Sequence, residues 1–225
     1  MTIDITNPFI KTSMENELIK KAILELKSPT LIATQQYLEI HSIELENELP
    51  RVEHVDFKSF KKSNVVYFSI KNESFFFSIY FSKENNEITR VSIENGNQIY
   101  LTATSYSLTF DELSKLTNLN GFSGWNMNKG TKVHNGKYYN FSQITFEPLK
   151  SQAYNIEAAI KLFLSILEQD LEGVKKLTEL SQAKISIHRK QYLNTNKDIL
   201  IDIDIIKRLC SLNLGVEIDP TCFWR

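Results

Sequence analysis

The stretch from Asn155 to Leu180 constrains this chain more than any other. Ile156, Ala159, Ile160, Phe163, Ile166, Leu167, Leu171, Val174, Leu177 and Leu180 recur at helical spacing with charged residues between them. A stripe that wide needs a sheet or other helices to cover it, so the rest of the chain must supply that cover. Asn155 is placed to cap the first turn with its side-chain oxygen. Gly173 costs about 1 kcal/mol against alanine inside a helix, which predicts a kink or break near 170–173.

Strands are available on both sides of this segment. Val66, Phe68 and Ile70 alternate with Val65, Tyr67 and Ser69; Phe75, Phe77, Ile79 and Phe81 alternate with Phe76, Ser78, Tyr80 and Ser82. Both patterns have the period of two that marks strands. Lys71–Ser74 and Glu84–Glu87 read as turns, and Thr89, Val91 and Ile93 as the next half-buried strand. Asn95-Gly96 is the strongest hairpin signal, because a type I′ turn needs positive φ at both central residues. The result is an antiparallel meander of four or five strands from Val52 to about Thr109. Ahead of it, Thr12-Ser13-Met14-Glu15 has capping-box spacing, and Leu18, Ile19, Ala22, Ile23 and Leu26 form an apolar face. Ser28-Pro29 then stops that helix and starts a second, which runs to about Glu39. Ser42 to Leu49 fits helix or strand equally well, ending at Pro50.

The buried parity changes along the meander. Ile99, Leu101 and Ala103 are odd, whereas Tyr106, Leu108 and Phe110 are even. A strand cannot exchange faces without a bulge or break, which places a boundary near Thr104-Ser105 and two units at 1–104 and 105–225. In the second unit, Thr109-Phe110-Asp111-Glu112 is another capping box, opening a short helix through Leu113, Leu116 and Leu119. The loop Asn120–Gly136 follows, then a strand from Tyr138 to Phe146 and the organising helix. Ala183, Ile185 and Ile187 form a strand. Asp202 caps a helix bearing Ile205, Ile206, Leu209 and Cys210, with Gly215 beyond its end, and Val216 and Ile218 close the chain as a short strand. The predicted fold is α+β: N-terminal helices with an antiparallel meander, then a second α+β unit packed on the long amphipathic helix.

The formal net charge of −1 over 225 residues gives no field that draws in nucleic acid or anionic lipid. No apolar run is long enough for a membrane span, and the first residues lack the basic start and apolar core of a secretory signal. A cytoplasmic protein is expected, with Cys210 and Cys222 as reduced thiols.

Chemistry-bearing patterns are sparse. Four glycines, Gly121, Gly124, Gly130 and Gly136, surround Trp125 and Lys129, but they match neither the phosphate-binding loop nor the dinucleotide fingerprint. His41, His54, His134 and His188 are scattered, with no pair at metal-ligand spacing, and no Gly-x-Ser-x-Gly elbow is present. Asp198, Asp202, Asp204, Glu217 and Asp219 cluster near the C-terminus. They read as a helix cap and solvated groups, or as an acidic contact surface for a basic partner; metal binding would need several of them to converge on one ion. No catalytic residue, metal ligand or cofactor is assigned, and a protein-binding role is expected. Its contact residues are expected in the glycine loop, at Phe122, Trp125, Lys129 and Lys132. Phe76 and Tyr80 on the outer face of their strand, and Asp202 and Asp204, are the further candidates. The alternatives are a small hydrolase or metal-dependent enzyme using the C-terminal carboxylates, and an interaction module of another kind.

From about Leu101 to Phe223 the chain resembles a bacterial family known as domain of unknown function 4279. The resemblance lies in Ser107-Leu108-Thr109-Phe110-Asp111-Glu112-Leu113-Ser114-Lys115-Leu116, in Lys129-Gly130, and in the strand and long helical region that follow. It continues in Asp204-Ile205-Ile206-Lys207-Arg208-Leu209-Cys210-Ser211-Leu212 and Gly215-Val216-Glu217-Ile218-Asp219. The chain departs at Thr131, where the family often has an acidic residue, and at Thr221-Cys222-Phe223, which replaces the usual aromatic close. The resemblance implies an immunity protein, encoded beside a toxin of a bacterial competition system, that neutralises that toxin by binding it.

Overall fold

The computed structural model describes residues 8–129, 138–149, 151–192 and 198–223, with side chains from residue 13 onward. The chain divides into two compact units, Met1–Gly96 and Asn97–Arg225.

Unit 1 opens with helices α1 (Pro8–Lys27) and α2 (Ile32–Ile40). The capping-box sequence at Thr12–Glu15 lies inside α1, because the helix starts four residues earlier at Pro8, where a proline costs no hydrogen bond. Nor does Ser28 cap α2. Its N-cap is Leu31, which has no side-chain acceptor to offer. Glu25 of α1 braces the turn ahead of α2 instead: its carboxylate accepts the N–H of Thr30 (3.0 Å) and Leu31 (3.1 Å) and the hydroxyls of Thr30 and Thr34 (both 2.6 Å).

A two-residue hairpin follows, β1 (Leu45–Glu46) against β2 (Leu49–Pro50), turning through Asn47 (φ 50°) and Glu48 (φ 66°). Positive φ at both central residues is the type I′ requirement. Asn95-Gly96, by contrast, is no turn. It lies within β6 (Ile88–Ser105), which runs straight through it. The strands β3 (Val52–Asp56), β4 (Ser63–Ser69), β5 (Phe75–Ser82) and β6 form the expected antiparallel meander, in that order. Asn95 still pairs with Phe75 on β5. The next residues find new partners, since the N–H of Asn97 reaches the Gln152 carbonyl (3.0 Å) and Leu101–Ser105 pair with another strand. A continuing ladder on either side of the Asn-Gly pair outweighs its local turn preference.

Unit 2 takes β6 from Asn97 onward, then α3 (Phe110–Ser114), β7 (Phe122–Trp125) and β8 (Ser142–Phe146). Next come α4 (Ile156–Leu167), a 3₁₀ turn (Glu168–Asp170) and α5 (Leu171–Leu180), then β9 (Gln182–Tyr192), α6 (Ile203–Ser211) and β10 (Gly215–Phe223). The strand order is β10-β9-β6-β8-β7. β8 pairs antiparallel with both β6 and β7, whereas β9 and β10 run parallel with α6 as their crossover. The predicted α+β class holds. The parity change beyond Ala103 coincides with the end of β6 at Ser105, past which Leu108 and Phe110 approach the same core from the α3 side.

That core is built on α4 and α5. Ile156, Ala159, Ile160, Phe163, Leu167, Val174 and Leu177 are buried against Ile99, Leu101 and Ala103 of β6, Ile144 and Phe146 of β8, and Ile185 and Ile187 of β9. Asn155 caps α4 through the N–H of Ala158 (3.0 Å), Asp202 caps α6 through Ile205 (2.9 Å), and Thr109 with Glu112 forms a complete capping box. The break in the long helix falls at Asp170. Cys210, expected on the apolar face of α6, is exposed; Ile205, Leu209 and Leu212 form that face. The helix turns out through Asn213 (φ 56°), two residues before Gly215.

Candidate partner-binding surface

The predicted glycine loop contains a strand. β7 pairs with β8 in the register Phe122↔Phe146 to Trp125↔Gln143 and forms the outer strand of unit 2. Two glycines make this possible. Gly121 takes φ 91°, and Gly124 takes φ 150° with its backbone so close to β8 that a Cβ would stand 1.9 Å from the Gln143 carbonyl oxygen. Only glycine fits such an approach. The connection back to β8 is held by three bonds: Phe110 N–H to Asn126 Oδ1 (2.6 Å), Met127 N–H to Ser142 Oγ (3.0 Å) and Asn128 N–H to the Tyr139 carbonyl (2.7 Å). On the other side of β7, the Asp170 carboxylate gathers the hydroxyl of Thr117 and both the backbone and side-chain N–H of Asn118. Those bonds, led by the Thr117 hydroxyl, hold the Asp170 carboxyl below the usual range.

Phe122 and Trp125 are three residues apart on a strand and therefore face opposite ways. Phe122 turns inward, 5.4 Å from the Phe146 ring and packed against the core. Trp125 turns to the other face and joins an aromatic cluster. It stacks on Tyr139 at 4.5 Å and tilts on Phe141 at 5.7 Å, while Tyr139 and Phe141 lie 5.2 Å apart and Tyr106 meets Phe141 edge-on at 6.0 Å. Tyr106 is 61% exposed and the neighbouring Tyr138 46%. The indole N–H of Trp125 is buried and has no acceptor among the described residues. Lys129 is exposed in the early part of the same connection; Lys132 lies outside the described residues.

The other predicted contact residues are elsewhere. Phe76 and Tyr80, expected on an open strand face, are 8% and 1% exposed. Tyr80 is held down by its own surroundings: its hydroxyl donates to Glu94 (2.8 Å), Phe60 meets its ring edge-on at 5.5 Å, and the Arg90 guanidinium lies 3.6 Å over the ring. Burial, then Glu94, push its hydroxyl pKa up, so it stays a donor. Asp202 is committed to the α6 cap and to Lys161 (2.6 Å), leaving Asp204 exposed beside it. Glu217 pairs with Lys184 (2.7 Å). The C-terminal acids are thus spread over a loop, a helix and β10, and the described residues hold no group of three or more potential metal-ligating side chains.

Sequence reading missed Tyr106, Tyr138, Tyr139 and Phe141. The signal was present in the dense run Tyr138-Tyr139-Asn140-Phe141 just before β8, which a strand pattern alone does not distinguish from core.

A family model, Domain of unknown function (DUF4279), matches residues 94–223. No curated protein and no solved structure matches. The match therefore covers unit 2 and leaves nearly all of unit 1 outside it.

Proposed function

The chain belongs to the family of domain of unknown function 4279, and on that premise we propose that it is a cytoplasmic immunity protein that neutralises a cognate bacterial toxin by direct binding. It acts by occupying the toxin and performs no chemistry of its own. The aromatic cluster around Trp125 is the observation that supports a binding role. Tyr106 stands exposed against Phe141, which packs on a stacked tryptophan whose N–H has no acceptor among the described residues, and Tyr138 is exposed next in sequence to the stacked Tyr139. Buried polar groups are nearly always bonded, and exposed tyrosine and tryptophan are the side chains that dominate binding hot spots. No chain helix among the described residues is long and apolar enough to cross a membrane. The toxin as partner is what the family resemblance implies.

The test uses the product of the open reading frame adjoining the gene. Calorimetry against that protein should give Trp125→Ala an affinity loss of about 2 kcal/mol or more, with circular dichroism unchanged. Tyr106→Ser, at the exposed margin, should weaken binding in the same direction without lowering the melting temperature. Wild-type affinity in both variants would move the interface elsewhere, and no binding by the wild-type chain would remove the toxin reading.

A further inference from the structure

We propose that the β3–β4 loop of unit 1, residues 57–62, is a docking site for an acidic protein segment. Lys58, Lys61 and Lys62 are exposed within five residues of one another. Several cations elsewhere are matched locally, Lys21 with Glu17, Lys161 with Asp202, Lys184 with Glu217 and Arg208 with Glu168. The three loop lysines have no ion-pair partner among the described residues.

The loop backbone is held at several points. Asp56 Oδ1 accepts the N–H groups of Lys58 (2.8 Å) and Ser59 (2.9 Å). From the next hairpin, Lys83 Nζ donates to the carbonyls of Phe57 (2.8 Å) and Phe60 (2.7 Å), and its N–H reaches the Lys62 carbonyl (3.0 Å). Phe60 anchors the middle on Tyr80. A loop fixed in this way loses little backbone freedom when a partner arrives. Lys83 also puts a fourth positive charge beneath the three exposed ones. The carboxylates at this end are Asp56, buried under the loop, and Glu84 and Glu87 in the β5–β6 turn, where Glu87 accepts from Asn85 (2.8 Å). Lysines outnumber them, so the loop presents a positive field.

The chemistry selects among anionic partners. Single-stranded nucleic acid is recognised by rings on which bases stack, but the Phe60 ring is committed to Tyr80 and Phe57 is half-buried. An anionic membrane would need apolar groups to insert, and the loop exposes only lysines. The whole chain carries −1, which opposes long-range attraction to a polyanion such as DNA. A short acidic protein segment needs only the local field.

The probe is a short, fluorescently labelled glutamate-rich peptide, read by anisotropy with the full-length chain, independently of any toxin. Binding should be measurable at low salt and weaken as salt screens the lysines. Lys58→Glu/Lys61→Glu/Lys62→Glu should lower the affinity by about tenfold or more, and Lys61→Glu alone by a smaller factor, keeping the test alive if the triple variant misfolds. Lys20→Glu/Lys27→Glu on α1 should bind as wild type. Undiminished binding by the loop variants would overturn the proposal, as would no binding of the glutamate-rich peptide by the wild type. Equal or tighter binding of labelled DNA would overturn it in favour of a nucleic acid.

Discussion

Glu25 is the residue whose role is least visible in the sequence and clearest in the structure. It is 2% exposed, yet its two oxygens accept four hydrogen bonds from Thr30, Leu31 and Thr34, so one carboxylate closes the α1–α2 turn and ties it to the first turn of α2 through the Thr34 hydroxyl. Burial, the largest single influence, raises its pKa; the four bonds together outweigh it and hold the carboxyl below its ordinary value. A depressed folded pKa gives stability that is present above the unfolded pKa and is lost as pH falls through the folded one. Glu25→Gln keeps one acceptor but turns an amide N–H toward donors, which should cost about 1–3 kcal/mol at neutral pH. Calorimetric melting of both proteins across the acid range should then show the curves converging as pH drops. A constant gap down to the lowest pH would mean that the carboxylate charge is not what α2 uses.

At the scale of elements, Gly173 makes the most pointed case. Alanine ordinarily stabilises a helix interior relative to glycine by about 1 kcal/mol. Here a Cβ would stand 2.1 Å from Asp170 Oδ2 and 2.8 Å from the Thr117 Cα. Asp170 cannot yield easily, since it caps α5 and holds the loop ahead of β7. Gly173→Ala should therefore lower the melting temperature, with urea denaturation giving the loss in free energy; a stabilised variant would show that the Asp170 clamp is dispensable. The same element shows what a sequence discloses. Stripe, cap at Asn155 and a break near Gly173 are all local, and each was legible, as were the meander and the caps at Thr109 and Asp202. Choices settled by distant partners were not. Asn95-Gly96 extends because ladders continue on both sides of it, and Thr12–Glu15 is overrun because α1 has already begun at Pro8. The aromatic cluster was half legible: Trp125 stood out by its glycine neighbours, while Tyr106, Tyr139 and Phe141 come to it only through the folding of the β7–β8 connection. Phe76 and Tyr80 were placed on the right face, but alternation carries no information about Arg90 and Phe60 closing over that face.

For the whole molecule, the family match and the compact division nearly coincide, at residue 94 and at Gly96–Asn97. The strand β6 runs through that point, its earlier half paired with β5 and its later half with β8. Unit 2 nevertheless retains a complete set of core side chains, from Ile99 on β6 through Leu214 after α6, all of them within its own residues. A core of that extent, on a chain of ordinary domain size, is enough for independent folding. We therefore expect a fragment spanning Glu94–Arg225 to melt in a single cooperative transition, with calorimetric and van't Hoff enthalpies in agreement. Its Trp125 fluorescence should resemble that of the full chain, because Tyr139 and Phe141, which surround the indole, are retained. A fragment with no cooperative transition would mean that unit 2 depends on residues before Glu94 for its stability.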